Sequence, residues 1–324
     1  MKIFKRLNDY KKLQQKTKKE DTITYIALGF FDGIHLGHQN LLSHCVRKAI
    51  QDQAISTVIL FDPHPEKIVY GLKNFLLLTT LHERVQKIKK LGIQQIITIN
   101  FAEEFQKISA ENFVTEVLLK QLHMGAVFVG KNYHFGYQKR GNVILLEKLA
   151  QLYHFKTFVL DLKKINGYQE ISSTLIKEEL KNGNIIRANQ LLGYYYQLSG
   201  EVIHGDKRGN LLLSFPTANI HIPKDKLLPK NGVYIAFARI GQKKYQGLVN
   251  IGYKPTFTKK NDSVAVEMNL FDFKGELYGK KISISLIQRI RDEIQFSNSD
   301  SLVLQIKKDE IVARNLFNQF EFGR

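Results

Sequence analysis

Two histidines stand three residues apart in the run GFFDGIHLGH, residues 29–38. They are His35 and His38, and Gly29, Gly33 and Gly37 punctuate the run. Residues three apart share one face of a helical turn. Two imidazoles beside the unpaired N–H groups of a helix N-terminus can hydrogen-bond a polyphosphate. They can also offset charge on a transferring phosphoryl group. The glycines let the backbone approach that phosphate closely. The competing reading is two surface histidines at a helix start, and the glycine pattern weighs against it.

Three more runs carry chemistry in the first half. FDPHP (61–65) places Asp62 beside a proline turn. GKNYHFGYQKRG (130–141) offers the Asn132 amide, two rings (Tyr133 and Phe135) suited to stacking on a planar ligand, and Lys139 and Arg140 for phosphate. ISSTLIK (171–177) offers the hydroxyls of Ser172, Ser173 and Thr174 at a helix start, with Lys177 one turn in. Read alone, these runs also fit a rigid turn, a basic loop and plain helix capping.

The second half has a different set. Gly205 and Gly209 frame a basic turn, His204–Arg208, suited to a phosphate nest, although no Walker loop is present. Thr217 and Asn219 are two apart, so on a strand they share a face and could hold one magnesium ion with ATP oxygens. Glu267, in VEMNL, is a carboxylate within an apolar strand and a candidate base. A buried polar pair and an outward-facing strand residue are the plainer readings of these positions.

Strand and helix must alternate to place the first set. Thr22–Leu28, Ser56–Phe61, Gln95–Ile99, Ala126–Gly130 and Lys156–Asp161 read as strands. His38–Gln51, Leu81–Leu91, Glu111–His123 and Val143–His154 read as helices. That order predicts a parallel sheet covered on both faces, with ligands beyond the carboxyl ends of its strands. From about residue 183 strand-like runs follow one another: Ser199–His204, Leu211–Ile222, Gly232–Ile240, Tyr245–Ile251, Val264–Phe273 and Lys281–Gln288. Six strands with little helix predict a small antiparallel barrel, closed by a helix over Ser299–Phe317. The expected domains are 1–182 and 183–324.

Composition bounds the rest. The 324 residues carry a net charge of +18. The excess is even, with 26 basic against 17 acidic side chains in residues 1–180 and 22 against 13 in 181–324. It fits nucleic acid or polyanionic small molecules equally. The single cysteine, Cys45, excludes an intrachain disulfide and cysteine-rich zinc sites. There is no run of 18 apolar residues and no signal-peptide pattern, so a soluble cytoplasmic protein with no membrane association is expected.

GFFDGIHLGH resembles the HxGH signature of the nucleotidyltransferase superfamily. GFFDGIHLGH, FDPHP, GKNYHFG and ISST, in this order and followed by a barrel-like half, resemble the bacterial bifunctional riboflavin kinase/FMN adenylyltransferase (FAD synthetase) family. The second half resembles its flavokinase domain through GEVIHGDKRGNLLLSFPTAN, GVY at Gly232–Tyr234, Asn250–Phe257, Glu276–Lys280 and Arg291–Phe296.

The resemblance implies a Rossmann-like nucleotidyltransferase domain and a flavokinase barrel. It implies that His35 and His38 act on ATP phosphates and that Glu267 is the kinase base. Gly29, Phe30, Gly37, Ser173, Thr174, Lys177, Gly205, Thr217 and Asn219 would bind ATP. Thr217 and Asn219 would hold Mg2+. Asn132, Asp62, Arg291 and Glu293 would meet flavin. The ligands would be riboflavin, FMN, FAD and ATP, with no specific nucleic acid.

Four positions depart from the family pattern. Leu175 and Lys177 stand where arginines are usual, and lysine lacks the bidentate fork. Asn210 replaces an arginine, and Ser214 a glycine, in a stretch one residue longer than usual. Two other readings remain open at this point. One is a nucleotidyltransferase for FMN or another phosphorylated acceptor, with an inactive barrel. The other is a basic nucleic-acid-binding barrel protein.

Overall fold

The computed structural model describes residues 1–4, 7, 9–10, 12, 22–101, 103–161, 164–165, 169–204, 217–253, 264–296 and 298–321. Gly205 and the basic turn after His204 lie outside these residues, as do Asn210 and Ser214. The chain divides into two compact units, Met1–Ser173 and Thr174–Arg324.

The first unit is built on a six-stranded sheet. Its strands are β1 (Lys2–Phe4), β2 (Thr24–Leu28), β3 (Ile55–Asp62), β4 (Gln95–Asn100), β5 (Met124–Gly130) and β6 (Lys156–Leu160). They lie in the order β1-β4-β3-β2-β5-β6 and every neighbouring pair is parallel. The short edge strand β1 has no counterpart in the sequence reading, because three residues carry too little pattern.

Alternation sends side chains to both faces. Tyr25, Ala27, Val58, Leu60, Ile96 and Phe128 pack with Leu41, Leu42, Cys45 and Ala49 of α1 (Leu36–Gln51) and Ile88 of α2 (Leu81–Lys90). Ile26, Leu28, Ile59, Ile97, Val127 and Val129 pack on the other face. There they meet Leu146 and Leu149 of α3 (Val143–Tyr153) and Phe113, Val114 and Leu118. The expected helix over 111–123 is α-helical only at Ala110–Asn112 and continues as a π-helix over Phe113–Leu119. Sheet coverage on both faces is the doubly wound arrangement that the strand order requires.

β2 lies between β3 and β5. The chain proceeds from β2 to β3 on one side and returns to β5 on the other. The carboxyl ends of β2 and β5 therefore flank the topological switch point, where open α/β sheets bind ligands.

The second unit begins with two helices, α4 (Ser173–Asn182, shared with the end of the first unit) and α5 (Ile185–Leu192). α5 is a helix the sequence reading did not include. Asn189 ties it to the barrel: its Nδ2 donates to the Leu286 and Ile287 carbonyls, and its Oδ1 accepts from the Tyr196 N–H at 2.7 Å.

In chain order a small hairpin, β7 (Lys164–Ile165) and β8 (Gln169–Glu170), precedes α4. The closed antiparallel barrel then follows. Its strands are β9 (Tyr196–Ile203), β10 (Thr217–His221), β11 (Gly232–Ile240), β12 (Lys243–Tyr253), β13 (Val264–Leu270) and β14 (Lys281–Arg291), in the order β10-β13-β12-β11-β14-β9. Expected strand 211–222 is described only from Thr217. Tyr234, Ala236, Ala238, Val249, Ile251, Met268 and Ile284 fill the interior. On the outer face Val233, Ile235, Leu248, Phe271 and Ile287 pack with Ala313 and Phe317 of α6 (Ser299–Glu321).

Candidate functional site

The GFFDGIHLGH loop leaves the carboxyl end of β2 and enters α1 at the switch point. His35 is the N-cap, and its Nδ1 accepts the His38 backbone N–H at 3.4 Å. The two rings stack, with centroids 3.6 Å apart and planes 19° from parallel. Phe31 meets the His38 ring edge-on at 5.3 Å. No acidic side chain stands in the first turn of α1, so nothing there cancels the positive end of the helix dipole.

Burial sets the charge state of the pair. His35 is 2% exposed, and burial lowers its pKa to about 4 against an opposing pull from Asp32. Burial, then the adjacent His35, holds His38 well below the usual histidine range. Both rings are neutral at pH 7. A neutral His35 accepting at Nδ1 carries its proton on Nε2 and can donate it. His38 Nδ1 is buried without a hydrogen-bond partner among the described residues. The pair suits hydrogen bonding to phosphate oxygens rather than a cationic contact.

The neighbouring candidates fall at the same sheet edge with different roles. Asp62 ends β3 and is exposed. His64, not Asp62, caps the following helical turn: its Nδ1 accepts the Glu66 N–H at 3.2 Å. The His64 ring lies 4.6 Å from both Phe30 and Phe75, a sandwich the sequence reading missed although FDPHP contains it.

Asn132 follows β5 and is exposed. Tyr133 and Phe135 stack on each other at 5.8 Å, and Phe135 packs against Phe113 in the core. This corrects the expectation that both rings await a ligand: they anchor the loop. Lys139 pairs with Glu66 at 3.3 Å.

Ser173 donates to the Asp32 carbonyl at 2.9 Å, so the ISST run reaches the histidine loop directly. Gly29 and Phe30 lie in that loop, where the Phe30 carbonyl accepts from buried Arg84 at 3.3 Å, and Gly37 lies in the first turn of α1. Thr174 and Lys177 follow on α4, in the second unit.

In the barrel, strand register assembles the second set. Asn219 of β10 pairs with Glu267 of β13, and Glu267 pairs with Asn250 of β12. Asn250 pairs with Val233, and Val233 with Arg291. Directly opposed residues share a face, so these five side chains form one belt on the outer face. Thr217 shares that face by alternation, since Ala218 and Ile220 are the buried members of β10. Glu267 is half-buried there, opposite in sense to the buried Val266 and Met268. It is therefore not a charge sunk in the core. Asn250 is a polar member of the belt to which the sequence reading gave no role, although it opens the Asn250–Phe257 run.

The Asn219 Oδ1 is buried and has no hydrogen-bond partner among the described residues. Arg291 is engaged: its guanidinium grips the Asp309 carboxylate of α6, with Nη2 to Oδ2 at 2.6 Å and Nε to both oxygens. Glu293 accepts from the Asn231 amide at 3.2 Å and lies against Gly252. A Cβ at position 252 would fall 1.5 Å from the Glu293 Oε1, so glycine is required for that approach. Among the described residues no three His, Cys, Asp or Glu side chains form a metal cluster, and no helix is long and apolar enough to cross a membrane.

A doubly wound unit with a neutral histidine pair at its switch point, joined to a barrel with an amide–carboxylate belt, defines a two-domain enzyme of phosphate-group transfer. Comparison with known proteins sharpens the class. Residues 17–175 match the FAD synthetase family model and residues 192–317 the riboflavin kinase model. A bifunctional riboflavin kinase/FMN adenylyltransferase of Buchnera aphidicola is 35% identical, over 98% of this chain and 99% of its own. The Listeria monocytogenes protein of the same description is 37% identical, over 91% and 93%. A crystal structure described as a macrolide-efflux protein from Streptococcus pneumoniae superposes with a TM-score of 0.84, at 28% identity over 97% and 98% of the two chains. The chain belongs to the bifunctional riboflavin kinase/FMN adenylyltransferase family.

Proposed function

We propose that the chain makes FAD from riboflavin in two ATP-dependent steps, one in each unit. In the barrel the riboflavin 5′-hydroxyl oxygen bonds to the γ-phosphorus of ATP and ADP leaves. Glu267 takes the hydroxyl proton. In the first unit an FMN phosphate oxygen bonds to the α-phosphorus of a second ATP and pyrophosphate leaves. That phosphate is already ionised, so the step needs alignment and charge stabilisation more than a base. Neutral His35 and His38 at the N-terminus of α1 supply donors for it. Gly29, Phe30, Gly37 and Ser173 are the proposed ATP residues there, with Asn132 and Asp62 on the flavin side; Thr174 and Lys177, expected with them from the sequence, belong to the second unit.

One observation carries the two-step reading. The two family matches fall on the two units, so each of the two steps has a unit of its own. The Asn219 Oδ1, without a hydrogen-bond partner among the described residues and on the same strand face as Thr217, fits Mg2+, which prefers oxygen ligands and completes its shell with water and phosphate. Bound there, the ion would neutralise charge on the ATP phosphates. Arg291 would serve the flavin site by anchoring α6, and Glu293 lies at the same end of β14. We include a cytoplasmic setting in the proposal.

Chromatography of riboflavin, ATP, Mg2+ and protein tests the whole. FMN followed by FAD is expected. FAD only from supplied FMN points to an adenylyltransferase with a silent barrel, and neither product overturns the reading.

A further inference from the structure

We propose that Asp32 and Thr79 form a clamp that positions the histidine loop for adenylyl transfer. The inference rests on the adenylyl-transfer reading above and assigns a role to two residues outside its reacting groups.

Asp32 is the acid inside GFFDGIHLGH, and the residue is 3% exposed. An anion beside a polyphosphate site is electrostatically unfavourable unless something else occupies it. Here it accepts the Leu78 N–H at 3.1 Å, the Thr79 N–H at 3.0 Å and the Thr79 hydroxyl at 3.2 Å. The same hydroxyl oxygen accepts the Gly33 N–H at 2.9 Å. The contacts close into a ring joining the loop after β2 to the segment before α2. The capping box of Thr80 and Glu83 fixes that segment in turn. An ionised carboxylate suits the role because it accepts from several donors at once.

The loop needs such a hold. Phe31 (φ 50°), Gly33 (φ 83°) and Ile34 (φ 40°) all lie at positive φ. That region is disfavoured for a bulky ring and more so for a β-branched residue. Such conformations persist where the surroundings over-determine them. The Phe31 and Ile34 side chains are locked in the core from below, and the clamp holds the intervening backbone from the opposite segment. His35 follows Ile34 directly. If Ile34 relaxed, the N-cap histidine and its stacked partner would move from their presented positions. Displacements of about 1 Å at a reacting site can cost about 100-fold in rate.

The test measures FAD formation from FMN and FMN formation from riboflavin on the same full-length protein. Thr79→Val keeps the shape and removes the bridging hydroxyl, whereas Thr79→Ser keeps the hydroxyl. We expect Thr79→Val to lower kcat for FAD formation about 10- to 100-fold. The KM for FMN should stay within about twofold, and FMN formation should be unchanged. Thr79→Ser should recover most of the lost kcat. Asp32→Asn, which replaces an acceptor oxygen with a donor, should lose at least as much as Thr79→Val. A role limited to stability would lower the melting temperature and leave kcat intact well below it, and that result overturns the clamp. So does an equal loss in Thr79→Ser and Thr79→Val. Wild-type protein that forms no FAD at all overturns the adenylyl reading and the clamp with it, a result distinct from failure of the clamp alone.

Discussion

Asn219 and Glu267 stand directly opposite each other across the β10–β13 ladder, on the outer face of the barrel. Forty-eight residues separate them in the chain, yet register sets their Cβ atoms within roughly 5.5 Å. An amide oxygen with no hydrogen-bond partner among the described residues thus adjoins a half-buried carboxylate. In the proposed kinase step one would hold a cation while the other takes a proton, and the two tasks need that separation of types.

Replacing Glu267 tests the second task. Glu267→Gln should reduce FMN formation from riboflavin about 100- to 10,000-fold, the usual span for loss of a general base. Supplied FMN should still be adenylylated at the wild-type rate. Product chromatography with each substrate reads both, and normal phosphorylation in the variant would make Glu267 structural.

Replacing His38 should give the reciprocal result. His38→Ala removes a donor from the switch-point site and leaves the barrel alone. FAD formation should fall by about 100-fold or more while FMN accumulates. If the variant makes FAD as fast as the parent, the stacked pair is not the phosphate site.

The buried histidines also predict how stability responds to acid. His35 titrates at about 4 in the fold and near 6.5 in the unfolded chain. The unfolded chain therefore takes up a proton that the folded site refuses. The stabilisation is fully present above pH 6.5 and is lost as pH falls toward about 4. For His35 alone the loss reaches about 2 kcal/mol at pH 5. Urea unfolding at pH 7.5 and pH 5 should show it, and His35→Gln should shrink the difference. An unchanged difference would place the acid sensitivity elsewhere. The same neutrality predicts no histidine step near pH 6.5 in the rate of FAD formation.

Arg291 and Asp309 make a further case. Asp309 is buried and receives the guanidinium through three contacts. Asp309→Ala should cost the second unit about 3 kcal/mol, since it leaves a largely buried cation without its partner. FMN adenylylation should be unaffected at temperatures where both units are folded. A variant with wild-type stability would free Arg291 for a direct role with flavin.

Local pattern made much of the molecule legible. Apolar runs alternating with helical stripes implied the doubly wound sheet, and closely spaced strands implied the barrel. Glycine spacing marked the histidine loop, and a two-residue spacing placed Thr217 and Asn219 on one face. Residue type alone determined that these positions could bind phosphate or an oxygen-preferring cation.

Tertiary structure decided everything that depends on contact between distant segments. Whether Glu267 lay in the core or outside it followed from which face of β13 the barrel interior took. Burial, which no spacing reports, made the histidines neutral donors. Tyr133 and Phe135 became core anchors because Phe113 packs beside Phe135. Arg291 became a helix anchor because α6 brings Asp309 to it. Asp32 was legible as an acid in a phosphate motif, an awkward charge in that place. Only the fold supplied Thr79 from 47 residues away, and with it the reason that charge can be there.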